Sequence, residues 1–192
     1  MKGNITMAKV DGNIFMDRLS GMIGDQIIIK KVRGGQTIIS KKASFNGKRE
    51  FTPAQLAQQQ AFREATAYGK MMQGEEIYIT KADGGAMSPY NIAVADWFNR
   101  PEILEIDLSA WSGEAGQVIR MRVQDDVQVQ HVAVAIADEA DNVLEQGEAV
   151  ETGALWWEYT TTGTASGNPK VMVVALDLPG HTTERIEGKA LG

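Results

Sequence analysis

The sequence predicts a mainly β protein with two helices: an N-terminal β-hairpin plus helices, then an antiparallel β-sandwich. Three observations carry this. Past Pro101 the apolar residues recur with period two, as on half-buried strands. Two β-rich runs, Asp25–Val32 and Thr37–Lys42, flank Arg33-Gly34-Gly35-Gln36, and Gly-Gly tolerates the positive φ of a tight hairpin turn. Two segments open with a hydroxyl residue followed by proline, Thr52-Pro53 and Ser88-Pro89, the pattern of a capped helix start.

Residues 1–24 are dotted with glycine and predict an extended arm, with a short strand at Asn13–Met16. The hairpin follows. A lone two-stranded hairpin is marginal in water, so Ile27, Ile29, Ile38 and Ile39 need a cover from this chain or another. Thr52 to Gln55 matches a capping box, and the helix it opens runs to about Met72, with Ala61, Ala65, Tyr68 and Met72 on one stripe. Ile77-Tyr78-Ile79 predicts a short strand. The second helix spans Tyr90 to Phe98, with Tyr90, Ala93, Val94, Trp97 and Phe98 on its apolar face. Arg100-Pro101 stops it and places a domain boundary between residues 1–100 and 101–192.

Seven strands are predicted beyond that boundary: Ile103–Leu108, Gln117–Val123, Val127–Ala137, Asn142–Gly147, Ala154–Thr160, Lys170–Asp177 and Thr182–Ile186. The alternation slips phase near His131-Val132, as at a bulge. About seven short strands in a segment of this size fit an Ig-like sandwich.

The 192 residues contain no cysteine, which excludes disulfides, thiol nucleophiles and thiolate metal sites. No run approaches the roughly 20 apolar residues of a membrane span. No signal peptide is visible in Met1–Asn13. The net charge of −6 divides unevenly: residues 1–100 hold 14 Lys and Arg against 9 Asp and Glu, and residues 101–192 hold 5 against 16. The basic excess lies in Lys30, Lys31, Arg33, Lys41, Lys42, Lys48 and Arg49. Only Phe45 and Phe51 lie nearby for base stacking, so a nucleic-acid partner is not expected. A solvated basic hairpin is one reading of these charges; the basic end of one copy meeting the acidic end of the next is another.

Residues Trp157-x-Tyr159, the run Val171 to Thr183 and the segment Val132 to Gly147 resemble the bacterial Ig-like domains repeated in surface and virion proteins, with His181 where those domains commonly carry Asn. The resemblance implies a spacer, adhesion or decoration module. Residues Leu19-Ser20-Gly21-Met22-Ile23-Gly24-Asp25, Thr52-Pro53-Ala54-Gln55 and Phe62 resemble a bacterial family of unknown function, which implies no catalytic residues.

Enzyme signatures are missing. His131 and His181 form no close ligand pair, and no G-x-S-x-G elbow or phosphate loop occurs. Gly34-Gly35 and Gly84-Gly85 are turns. The carboxylates Glu102, Glu105, Asp107, Asp138, Glu139 and Asp141 scatter as a solvated face rather than pairing for glycoside hydrolysis. Asp125-Asp126 and Asp177 sit at predicted strand ends, where Ca²⁺ could gather oxygens; without a D-x-D-x-D-G loop, turn capping accounts for the Asp pair.

The expected function is therefore a non-enzymatic, self-assembling structural subunit of a filament, tube, surface array or virion, with no cofactor. Its partners are copies of itself, in an extracellular or virion setting. Ile27, Ile29, Ile38, Ile39, Lys30, Lys31 and Arg33 are the expected contacts. The alternative is a glycan- or protein-binding surface module that stacks ligand on Trp111, Trp156 and Trp157.

Overall fold

The structure, a computed structural model, describes residues 7–10 by their backbone and residues 19–32, 35–43 and 50–191 in full. Twelve strands and three helices are formed by the described residues, in three four-stranded antiparallel sheets.

The hairpin is present but not alone. Strands β1 (Met7–Val10), β2 (Gly21–Ile23), β3 (Ile27–Lys31) and β4 (Thr37–Lys41) form one sheet in the order β1-β4-β3-β2. β3 and β4 pair with Ile29 opposite Ile39 and Lys31 opposite Thr37. Gly24 and Asp25, at φ of 58° and 56°, turn the chain from β2 into β3, with the positive φ at both central residues that a type I′ turn demands. This turn lies in a segment where only an arm and a loop were expected. The predicted strand Asn13–Met16, and the turn residues Arg33 and Gly34, lie outside the described residues.

Helix α1 (Pro53–Met72) starts as predicted. The Thr52 side chain accepts from Gln55 N–H, and the Gln55 side chain accepts from Thr52 N–H at 3.0 Å. Helix α3 (Pro89–Phe98) is capped by Ser88, whose hydroxyl accepts from Asn91 N–H. Between them Glu76–Ala82 is a helix, α2, and not the strand that Ile77-Tyr78-Ile79 predicts. Its Tyr78 and Ala82, one turn apart, are both fully enclosed beside α3, and that packing overrides the β propensity of the triplet. Helices α1 and α3 meet at Gly69, where a Cβ would lie 2.6 Å from Val94 Cγ2 and 3.2 Å from the Tyr90 ring. No described helix is long and apolar enough to cross a membrane.

The sandwich has eight strands, one more than predicted. β5 (Glu102–Asp107), β6 (Val118–Gln124), β10 (Trp156–Thr160) and β9 (Val150–Gly153) form one sheet in the order β5-β6-β10-β9. β12 (Thr182–Gly188), β11 (Lys170–Asp177), β7 (Val129–Ala137) and β8 (Val143–Glu148) form the other in the order β12-β11-β7-β8. Strand β9 was not expected. Alternate side chains fill the space between the sheets: Ile119, Met121 and Val123 of β6 and Tyr159 of β10 against Val132, Val134 and Ile136 of β7 and Val171, Val173 and Ala175 of β11. Each such aliphatic side chain contributes roughly 1.5–3 kcal/mol on burial. The phase slip near His131 is a register shift: Leu176 opposes His131 while Asp177 opposes Val129.

The β5 edge carries a second irregularity, a shift between Ile103 and Glu105. Arg185 of β12 donates there to the carbonyls of Ile103 and Leu104, at 3.2 and 2.8 Å. Lys189 donates to the carbonyls of Leu108 and Trp111. These side chains stitch the edge of one sheet to the edge of the other.

A separate small core joins the helices to one end of the sandwich, with Val127 and Leu178 packed against Tyr78, Ala82, Ile92 and Ala93. Because the sandwich core stands apart from this one, a fragment of residues 101–192 is expected to give a β-rich circular-dichroism spectrum and a cooperative melt, at a lower Tm than the full chain. A disordered or helical spectrum would show that the sandwich needs its helical cover.

Candidate functional site

Four elements converge where the helices meet the sandwich: α2, α3, the turn between β6 and β7, and the end of β11. α3 turns Ile92, Ala93 and Asp96 inward. Asp96 is 0% exposed. Tyr78 of α2 donates its hydroxyl hydrogen to Asp96 Oδ2. Tyr78 has one such hydrogen, so in its 2.6 Å contact with Tyr68 of α1 it must accept. The result is a directed chain from Tyr68 to Tyr78 to Asp96. Asp96 Oδ1 is buried and has no hydrogen-bond partner.

The β6–β7 turn supplies two more carboxylates. Asp125 Oδ2 accepts from Val127 N–H and Gln128 N–H, both at 3.0 Å, which is the expected turn cap. Its Oδ1 is buried without a partner. Asp126 is exposed and accepts from the Asn99 side chain at 2.8 Å, just past the end of α3. Asp96, Asp125 and Asp126 each place one oxygen within 4.8 Å of the others. No ion pair joins them to a lysine or arginine among the described residues. An open groove of about 550 Å³, lined in part by Asn99, Arg100, Asp125 and Asp126, borders the cluster on its Asp125–Asp126 side.

Asp177 lies nearby at the end of β11, fully buried. Its Oδ1 accepts from His181 N–H at 2.6 Å. Its Oδ2 is 3.3 Å from His181 Nδ1, close enough for an ion pair but without hydrogen-bond alignment. Trp97 of α3 packs edge-on to the His181 ring at 5.2 Å.

Burial pushes the Asp96 carboxyl up to about 7, with the charges of Asp125, Asp126 and Asp177 adding to the rise and the Tyr78 hydroxyl opposing it. Burial likewise raises Asp125, against the two backbone donors that hold it down. Tyr78 is raised by burial and then by its bond to Asp96. Glu145 is the contrast. Burial would raise it too, but Thr162 N–H, Thr162 hydroxyl and Gly163 N–H donate to Oε2 at 2.7, 2.6 and 2.9 Å and leave it below the usual range.

The residues singled out in the sequence fall elsewhere. Trp111 is 1% exposed and Trp157 7% exposed, both inside the sandwich core, so neither is open to a ligand. Trp156 points outward beneath the Arg120 guanidinium, 4.7 Å from the ring centre. The three do not form a stacking platform. Ile29 is 2% exposed and belongs to the interior of its own sheet; Ile38 and Ile39 are half-buried. Ile27, Lys30 and Lys31 are exposed, and Arg33 lies outside the described residues. The acidic cluster was visible only in part. Asp125 and Asp126 stood out, whereas Asp96 gave one signal, a carboxylate interrupting an apolar helix face.

No family model and no curated protein matches the chain. Solved structures similar to it include CopC from Methylosinus trichosporium OB3b, at 17% identity over 46% of this chain and 89% of that one, with a TM-score of 0.36. A tetra-tandem repeat from the extending region of a large adhesion protein is also similar, at 17% identity over 49% of this chain and 24% of that one, TM-score 0.34. A conjugative transposon lipoprotein from Bacteroides eggerthii DSM 20697 shares 12% identity over 47% of this chain and 94% of that one, TM-score 0.25. Likeness at this level identifies no function.

The buried carboxyl sets a pH dependence. Unfolded, Asp96 ionises near 3.8; folded, near 7. Between those values the unfolded chain has lost a proton that the folded chain keeps, so stability falls as pH rises from about 4 to about 7 and then levels off. Asp125 acts in the same direction, raised by burial and by the neighbouring charges of Asp126 and Asp177. In chelator, denaturant melts of Asp96→Asn are expected to lose most of this slope and to gain on the order of 2 kcal/mol at pH 8. An unchanged slope would place the titration elsewhere.

Proposed function

We propose that the chain is a non-enzymatic structural subunit that assembles with copies of itself through its N-terminal region and displays the sandwich. One observation carries this reading: of the seventeen large apolar side chains left exposed among the described residues, twelve lie before residue 100. They include Met22, Ile23 and Ile27 on the sheet and Leu56, Phe62 and Met71 on α1. Ile23 and Ile27 are directly paired across β2 and β3 and are 51% and 42% exposed. Among the described residues the sheet ends in two edge strands, β1 and β2, whose backbone groups strand addition could use. Lys30 and Lys41 are exposed on the same sheet and complement the acidic sandwich of a neighbouring copy.

The strand order supports an Ig-like identity for the displayed domain. Lettered in chain order from β5, the two sheets are A-B-E-D and G-F-C-C′, the arrangement of Ig sandwiches with one added strand beside C. Such a domain in a filament, tube, surface array or virion acts as a spacer or decoration.

Ile29 is a poor probe of assembly, since a charge there would disrupt its own sheet. Ile23→Asp with Ile27→Asp tests the exposed pair instead. Size-exclusion chromatography and negative-stain microscopy at low salt are expected to show large ordered particles for the parent chain. The double variant should associate roughly tenfold more weakly or worse, with an unaltered far-ultraviolet spectrum. A parent chain that runs as a clean monomer at high concentration would overturn the proposal, as would a double variant that assembles normally.

A further inference from the structure

We propose that Asp96, Asp125 and Asp126 bind one calcium ion, which fastens helix α3 to the β6–β7 turn of the sandwich. The distances suit such an ion. Calcium takes oxygen ligands at about 2.3–2.6 Å, so two oxygens on one ion lie at most about 5 Å apart. The three carboxylates offer oxygens within 4.8 Å of one another. The donor set is oxygen only, which selects a hard cation over zinc or copper.

Two further observations point to a ligand. Asp96 Oδ1, on a fully enclosed side chain, has no partner, and Asp125 Oδ1 is also buried without one. A buried polar atom left unpaired costs roughly 1–3 kcal/mol, and more if charged, and such atoms are rare in folded proteins. Each carboxylate is also already oriented through its other side. Tyr78 holds Asp96 Oδ2, and Val127 N–H and Gln128 N–H hold Asp125 Oδ2, which leaves the Oδ1 atoms free to bind. The groove beside Asp125 and Asp126 admits the waters that complete the six to eight ligands calcium prefers. Magnesium fits less well, since it keeps most of its water and usually takes one or two carboxylates. The competing occupant is a proton shared between Asp96 and Asp125.

The test uses the full chain, freed of metal with chelator and titrated with CaCl₂ at pH 7.5 by calorimetry and thermal melting. One equivalent is expected to bind with a Kd of roughly 10⁻⁵–10⁻³ M, and calcium at ten times that Kd should raise the Tm by roughly 3–5 °C. Asp126→Asn, at an exposed position that should not affect folding, and Asp125→Asn, which retains a capping oxygen, should each weaken binding at least tenfold. Absence of both heat and Tm shift in the parent chain would overturn the proposal in favour of the shared proton. Calcium binding that both variants leave intact would place the ion elsewhere and overturn it too. An equal response to MgCl₂ would overturn the choice of calcium.

Discussion

Holding the Asp96 carboxyl without water shapes the whole helical end of the molecule. An isolated buried carboxylate is among the costliest groups a fold can contain, and proteins meet that cost by neutralising it or by pairing it. Here Tyr78 gives it one hydrogen bond, and Tyr68 supports Tyr78 in turn. Those two tyrosines come from α1 and α2, Asp96 comes from α3, and the surrounding charges come from β-strand ends. The orientation of three helices is thereby tied to one oxygen atom. Gly69 belongs to the same arrangement, because only a residue without a side chain lets α1 lie close enough to Tyr90 and Val94 for α1 and α3 to close around the tyrosine chain.

The two halves of the chain manage apolar surface differently. The sandwich encloses its apolar residues between two sheets and turns arginines and glutamates outward, as in the Arg120–Glu158 pair at 3.1 Å across β6 and β10. The N-terminal sheet has one strongly buried isoleucine, Ile29, and carries its apolar pair Ile23–Ile27 in the open. Helix α1 buries only Ala65 and Gly69 of its twenty residues. A helix of that length with so little cover gains little from packing within its own chain, which is the usual source of helix stability in proteins.

Much of the architecture was legible because it follows local rules. The capping box at Thr52–Gln55, the Ser88-Pro89 start and the alternation in Ile119, Met121 and Val123 each depend on neighbours within a few residues, and each appears as expected. What was hidden depends on distant contacts. Tyr78 belongs to a helix because of what it meets on α3 and α1, not because of its neighbours Ile77 and Ile79. Asp96 gains its character from Tyr78, 18 positions away, and from Asp125, Asp126 and Asp177, 29 and more positions away in sequence. Trp111 carries no sequence mark that separates an enclosed indole from a displayed one, whereas strand alternation puts one of Trp156 and Trp157 inside without saying which. The pairing that adds β2 to the hairpin rests on Gly24-Asp25, a turn whose two positive φ values a Gly-Asp pair signals less plainly than Asn-Gly or Gly-Gly.

The stitched edge between β5 and β12 has a mechanical consequence. Arg185 reaches Ile103 and Leu104, and four residues later Lys189 reaches Leu108, so the two strands run in the same direction. Tension applied along the chain at Glu102 and at Lys189 therefore slides one strand lengthwise past the other instead of peeling them apart. The Arg185 and Lys189 contacts to the β5 side both lie across that direction of sliding.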